Sequence, residues 1–177
     1  DALQNLTSAQ VGALTTAQLS NMKTDQLDVL DSAQLSGLTS AQIKALSTDQ
    51  LDALDADLAT LKTSQIIGLT SAQLQRLGTD DVASLTSGQL QSLTTAQIQS
   101  LTTDQLDALD NSLGSLKTSQ IAALTTAQVS GLTTDALQNL TSAQVGALTT
   151  AQMQNMNTDQ RDEEGRVELG GLTRAPT

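Results

Sequence analysis

The sequence predicts an all-α solenoid of very short capped helices, with three octads, about 24 residues, in each coil. Three observations carry that prediction. An eight-residue phrase recurs along most of the 177 residues, a helix-capping pattern is locked to it, and the chain has no aromatic residue with which to fill a thick core. The phrase is Leu-Thr-Thr/Ser-Ala/Asp-Gln-Leu/Ile/Val-x-x. Twenty consecutive units begin at Leu6, and eighteen of them are octads. The other two, at Leu54 and Leu109, are seven residues long. The first place is Leu in eighteen units and Met in two, Met22 and Met156.

One continuous helix does not fit this period. Eight residues turn through roughly 800°, so a leucine stripe drifts by about 80° per unit and soon faces every direction. Short helices do fit. The second place is Thr, Asp, Ser, Asn or Gly in seventeen of twenty units, which is the N-cap set. Gln follows three places later in sixteen units, completing a capping box. The flanking Leu and the Leu, Ile or Val after the Gln form a hydrophobic staple, as with Leu6 and Val11 around Thr7 and Gln10. Asp25, Asp49 and Asp104 stand at the second helical position, where the positive helix end favours an acid. Lys23, Lys62 and Lys117 break the cap pattern. Each is followed by Thr, which is expected to cap one residue late. A helix this short cannot nucleate alone and needs stacked neighbours to cover its aliphatic edge.

The fourth place gives a higher order. It runs Ala, Ala, Asp at the units from Leu6, Leu14 and Met22, and again from Leu30, Leu38 and Leu46. A triplet of octads therefore reads as one coil with three short helices as its sides. The short units, LDADLAT and LDNSLGS, read as Leu58 and Leu113 in place of Gln and as kinks or corrections of superhelical twist between triplets. The alternative architecture is a parallel β-solenoid, for which a coil of three octads is also natural. Thr, Val and Ile favour it, whereas the Ala, Leu, Gln and Asp content and the sparse Gly/Asn corners do not. The pattern runs over 1–160. The segment 161–177, RDEEGRVELGGLTRAPT, holds the single Pro and reads as a polar cap over the last coil or as sequence foreign to the repeat.

Composition narrows function. The chain lacks His, Cys and Tyr, so Ser/His and Cys/His nucleophilic arrangements, thiolate metal sites and disulfides are absent. Acid pairs such as Asp80–Asp81 and Glu163–Glu164 read as solvated, and no glycine-rich phosphate loop occurs, so no enzyme and no cofactor are expected. A net charge of −11 argues against nucleic acid. No apolar run is long enough for a membrane span. There is no signal peptide, and the chain starts at Asp1 in mid-phrase, as a processed chain or a fragment would. The candidate ligand set is a calcium set. Asp25, Asp28 and Asp31 recur as Asp49, Asp52 and Asp55, and as Asp104, Asp107 and Asp110. At this spacing they can line one edge of the stack, although no EF-hand string or glycine-rich calcium nonapeptide is present. Helix-end charge and a solvated edge explain the same residues. The Thr/Ser third place faces outward as a ladder of hydroxyls, and the sequons at Asn5 and Asn139 sit inside capping phrases.

The phrase LTTAQIxxLTTDQLxAL resembles the octapeptide-repeat regions of very large bacterial secreted or surface proteins of the adhesin, haemolysin or filament kind. The resemblance covers 1–160 and carries no site residues. It implies an extracellular or bacterial cell-surface structural setting. The expected role is a stalk, spacer or self-assembling fibre that stacks end to end through its aliphatic core. The alternative is an adhesin-type module whose hydroxyl or acidic face takes a glycan or other cell-surface partner, ice or calcium.

Overall fold

The computed structural model describes residues 2–54 and 58–161. Among these every regular element is a helix of three to six residues and no strand occurs, so the helical expectation holds and the β-solenoid does not. The brevity has a local cause. The cap residue is extended, as at Thr70 with φ −79° and ψ 159°, and the chain turns out of the helix again within six residues. At Thr70 both halves of the box form. The Gln73 amide N–H donates to the Thr70 hydroxyl at 3.2 Å, and the Thr70 N–H donates to Gln73 Oε1 at 2.8 Å.

The chain divides into two compact units, residues 1–93 and 94–177. In the first, helix Ser8–Gly12 packs on Ser32–Leu35, Thr16–Ser20 on Ser40–Ala45, and Thr24–Leu27 on Thr48–Asp52. Each helix thus meets the third element further along, and the coil has three sides. Leu6 and its equivalent Leu30 lie three octads apart, the coil length expected. Further on, Ser40–Ala45 packs on Thr63–Ile66 and Thr48–Asp52 on Ser71–Arg76. In the second unit the same rule pairs Thr103–Ala108 with Thr126–Gly131, and Thr118–Ala123 with Ser142–Val145.

The short unit from Leu109 forms a whole side of a coil. The 3₁₀-helix Asp110–Ser115 packs on Thr134–Gln138, again three elements on, and the register counts straight through it. A 3₁₀-helix rises about 2.0 Å per residue against about 1.5 Å in an α-helix, so fewer residues reach across the same side. Leu113 does not stand in for Gln. It is fully buried like the staple residues Ile98, Leu106 and Ile121, and so occupies the sixth place. Leu58, 3% exposed, begins the matching 3₁₀-helix Leu58–Thr60.

The core is a column of first-place and sixth-place aliphatics. Leu38, Ile43, Leu46, Ile66, Leu69 and Leu74 are buried in the first unit, and Leu101, Leu106, Ile121, Leu124 and Val129 in the second. Ile67, 48% exposed, is the one exposed large hydrophobic residue among those described. Coils approach closely at some corners. A Cβ on Gly37 would overlap the Ser8 carbonyl oxygen, so only glycine fits there.

Candidate functional site

The distinctive chemistry lies in the fifth-place glutamines. Their sequence role is the capping box, for which Glu serves as well as Gln. The repeat nevertheless uses Gln in sixteen of twenty units and Glu in none. The structure shows why. Oε1 accepts from the cap N–H, and Nε2 reaches one coil back to two backbone carbonyls. Gln34 Nε2 donates to the Leu3 and Leu6 carbonyls at 2.9 and 2.7 Å, 31 and 28 residues away. Gln73 donates to Ile43 and Leu46 at 2.8 and 2.9 Å, and Gln89 to Leu58 and Leu61 at 2.6 and 2.8 Å. In the second unit Gln128 ties to Ile98 and Leu101 at 2.9 and 2.8 Å, and Gln144 to Leu113 and Leu116 at 2.9 and 2.8 Å. Gln160, the last fifth-place residue, ties to Val129 and Leu132 at 3.0 and 2.6 Å.

These amides are buried, with Gln65 and Gln144 at 1% exposure. They answer a need that short helices create. Helix backbone groups bond within three or four residues, leaving corner carbonyls that no neighbouring strand can satisfy. A primary amide is the side chain that accepts on one atom and donates twice on the other. Among the described residues no buried side-chain N or O lacks a partner. Capping alone accepts Glu as readily as Gln. The strict choice of Gln over Glu is the signal that a donor is required as well.

Four units lack the Gln: the two heptads, which hold Leu58 and Leu113, and the octads with Asp81 and Ala136 at the fifth place. They form two pairs, Leu58 with Asp81 and Leu113 with Ala136, so a heptad and the octad one coil on lose the amide together. The second unit shows how the corner differs. At ordinary corners the first-place residue is extended, as at Leu101 (φ −62°, ψ 141°) and Leu132 (φ −65°, ψ 144°). Leu109, which opens the heptad, is helical instead (φ −68°, ψ −26°), and its carbonyl accepts the Ser112 N–H at 2.6 Å. The corner thus turns its carbonyl into its own 3₁₀ turn, and the unit stacked on it carries Ala136 in place of an amide. The cap acceptor missing from helix Thr134–Gln138 comes from the coil below. Thr133 N–H and Oγ donate to Asp107 Oδ1 at 3.0 and 2.9 Å. In the first unit Asp81 keeps only the cap, accepting from the Gly78 N–H at 3.0 Å.

The lysine units also differ from expectation. The caps do not slide onto the following Thr. Lys23, Lys62 and Lys117 themselves take the extended cap position, and Thr24, Thr63 and Thr118 begin the helices. An ammonium cannot accept a hydrogen bond, so only the reciprocal half survives, such as Lys62 N–H to Gln65 Oε1 at 2.8 Å.

The candidate calcium residues are scattered in role. Asp25, Asp28, Asp49 and Asp52 are exposed on or beside two packed neighbouring helices. Asp49 faces Arg76 at 3.6 Å, with both side chains more than two-thirds exposed. Asp31 is a cap, accepting from the Gln34 N–H at 2.8 Å. Asp104 is exposed at a helix start, Asp107 serves Thr133, and Asp110 Oδ1 accepts from Asn139 Nδ2 at 2.7 Å. Asp55 and the segment 162–177, including Glu163 and Glu164, lie outside the described residues. Arg161 is described and is exposed, donating to the Gln154 carbonyl at 2.7 Å. Among the described residues no group of three or more carboxylates gathers so as to hold a metal ion, and no helix is long and apolar enough to cross a membrane.

Capped short helices, a three-sided coil and buried amide ties between stacked coils within each unit define a structural repeat protein. The chain belongs to the ALTTAQ repeat family, whose model matches residues 19–56, 55–87, 77–112, 111–142 and 131–158. No curated protein matches it.

Proposed function

We propose that this chain is an extracellular stalk, spacer or self-assembling fibre subunit of the bacterial cell surface, with no catalytic role. The observation that carries the reading is the direction of the amide tie. The fifth-place donors described above point back toward the preceding coil, whose carbonyls accept them, so a coil from another copy presents the complementary set. Such a contact is head-to-tail and does not close on itself, which is the geometry of filaments. The extracellular setting rests on the resemblance of the phrase to surface-protein octapeptide repeats.

Electron microscopy beside light-scattering mass, in EDTA and in Ca²⁺, tests this. The fibre reading expects filaments with a repeat of one chain length and mass that rises with concentration. A single-chain mass in both conditions would reject self-assembly and leave a spacer. A second reading, an adhesin-type module, has one observation in its favour: Asp25, Asp28, Asp49 and Asp52 are exposed on or beside two packed helices. Calorimetric calcium binding that is lost when these four become Asn would favour it.

A further inference from the structure

We infer that the heptad corners are built-in seams, the places where the stacked coils part first. Three observations in the second unit converge on the joint between the heptad 109–115 and the unit stacked on it. That unit has Ala136 where the amide tie would stand. Carboxylates at the surface accept bonds across the joint. Asp107 is half-buried and accepts from exposed Thr133, while exposed Asp110 accepts from Asn139. Asp110 has φ 38°, the only positive φ of a non-glycine residue among those described, so the corner also carries backbone strain.

The neighbouring joints differ in kind. Gln128 and Gln144, 5% and 1% exposed, hold theirs with amides shielded from water. A bond reached by water gives little net stabilisation, whereas opening a buried tie strands its donor and both acceptors. The first unit repeats the sequence arrangement, with Asp81 one coil on from the heptad at Leu54, just as Ala136 is one coil on from the heptad at Leu109. If the chain is a stalk, as proposed above, it yields at fixed intervals rather than unravelling from any coil.

Amide hydrogen exchange of the full chain tests the seam directly, whether or not filaments form. Leu137 and Val129 are equivalent sixth-place residues whose N–H groups donate to Thr133 and Thr125 at 3.2 and 3.0 Å. Leu137 is expected to exchange about tenfold or more faster than Val129 and Val145. Asp107→Ala should accelerate Leu137 further while leaving Val129 unchanged. Gln128→Met should bring Val129 toward the seam rate. Equal protection of Leu137, Val129 and Val145 in the wild type would overturn the inference, as would exchange at Leu137 that Asp107→Ala does not move. Filament failure with a fast Leu137 would reject the fibre reading and leave the seam standing.

Discussion

Replacing Gln73 by Glu separates the two jobs of the fifth-place residue. Glu keeps the oxygen that accepts from the Thr70 N–H at 2.8 Å and loses the nitrogen that donates to Ile43 and Leu46 at 2.8 and 2.9 Å. If capping were the whole role, the change would be neutral or slightly stabilising, because Glu suits the box and the helix N-terminus. The tie predicts the opposite. The side chain is 2% exposed, so a carboxylate there would face two carbonyl oxygens without solvent, and the group would fold protonated. Protonating a carboxyl of ordinary pKa about 4.3 at pH 7 costs about 3.7 kcal/mol. The acid then restores one donor and leaves about 1 kcal/mol for the second bond. The sum is about 4 to 5 kcal/mol at pH 7, a large share of the roughly 5 to 15 kcal/mol that holds a domain folded.

The sign of the pH dependence follows from the same step. The introduced carboxyl has a folded-state pKa raised above its unfolded value, so the folded state binds the proton more tightly. The penalty is therefore greatest above the folded pKa, shrinks as pH falls, and approaches about 1 kcal/mol below about pH 4. Urea denaturation of wild type and Gln73→Glu at pH 4 and pH 7 measures it. A variant within about 0.5 kcal/mol of wild type at pH 7 would refute the tie as a stabilising element.

Three further outcomes are expected. Lys62→Thr restores the missing cap acceptor for the Gln65 N–H and should stabilise by about 1 kcal/mol in the same assay, since the Lys62 side chain makes no cap bond. Gly37→Ala drives a Cβ into the Ser8 carbonyl oxygen and should lower stability by about 1 to 3 kcal/mol, through steric displacement of the coil backbone rather than through φ, read as a lower thermal midpoint. Arg76→Ala breaks the Asp49 pair at 3.6 Å, but both side chains are more than two-thirds exposed, so denaturation at low and high salt should each change by less than about 0.5 kcal/mol.

Each helix was legible because its instructions are local. Thr70, Gln73, Leu69 and Leu74 stand within six residues of one another, and cap, box and staple need no distant partner. The three-sided coil was legible from the Ala, Ala, Asp rhythm of the fourth place. The heptads were misread because Leu113 has the same ordinal place as Gln in the other units. Only the packing of its side chain into the core, as at Ile98 and Ile121, shows that the deletion precedes it. The lysine caps were misread because Thr24, Thr63 and Thr118 offered a plausible acceptor. The staple holds the leucine one residue before the cap, so the cap cannot slide.

Sequence alone thus dictated a stack of capped helices with an aliphatic core, since capping and period are short-range and repeat twenty times. Tertiary structure decided what joins one coil to the next. Whether Gln73 Nε2 meets water or the Ile43 and Leu46 carbonyls depends on bringing residues 30 and 27 positions apart into register, and that distance is set by stacking rather than by any local preference. The same holds for the Asp107–Thr133 bond, 26 residues apart, which exists only because stacking brings the two coils into register.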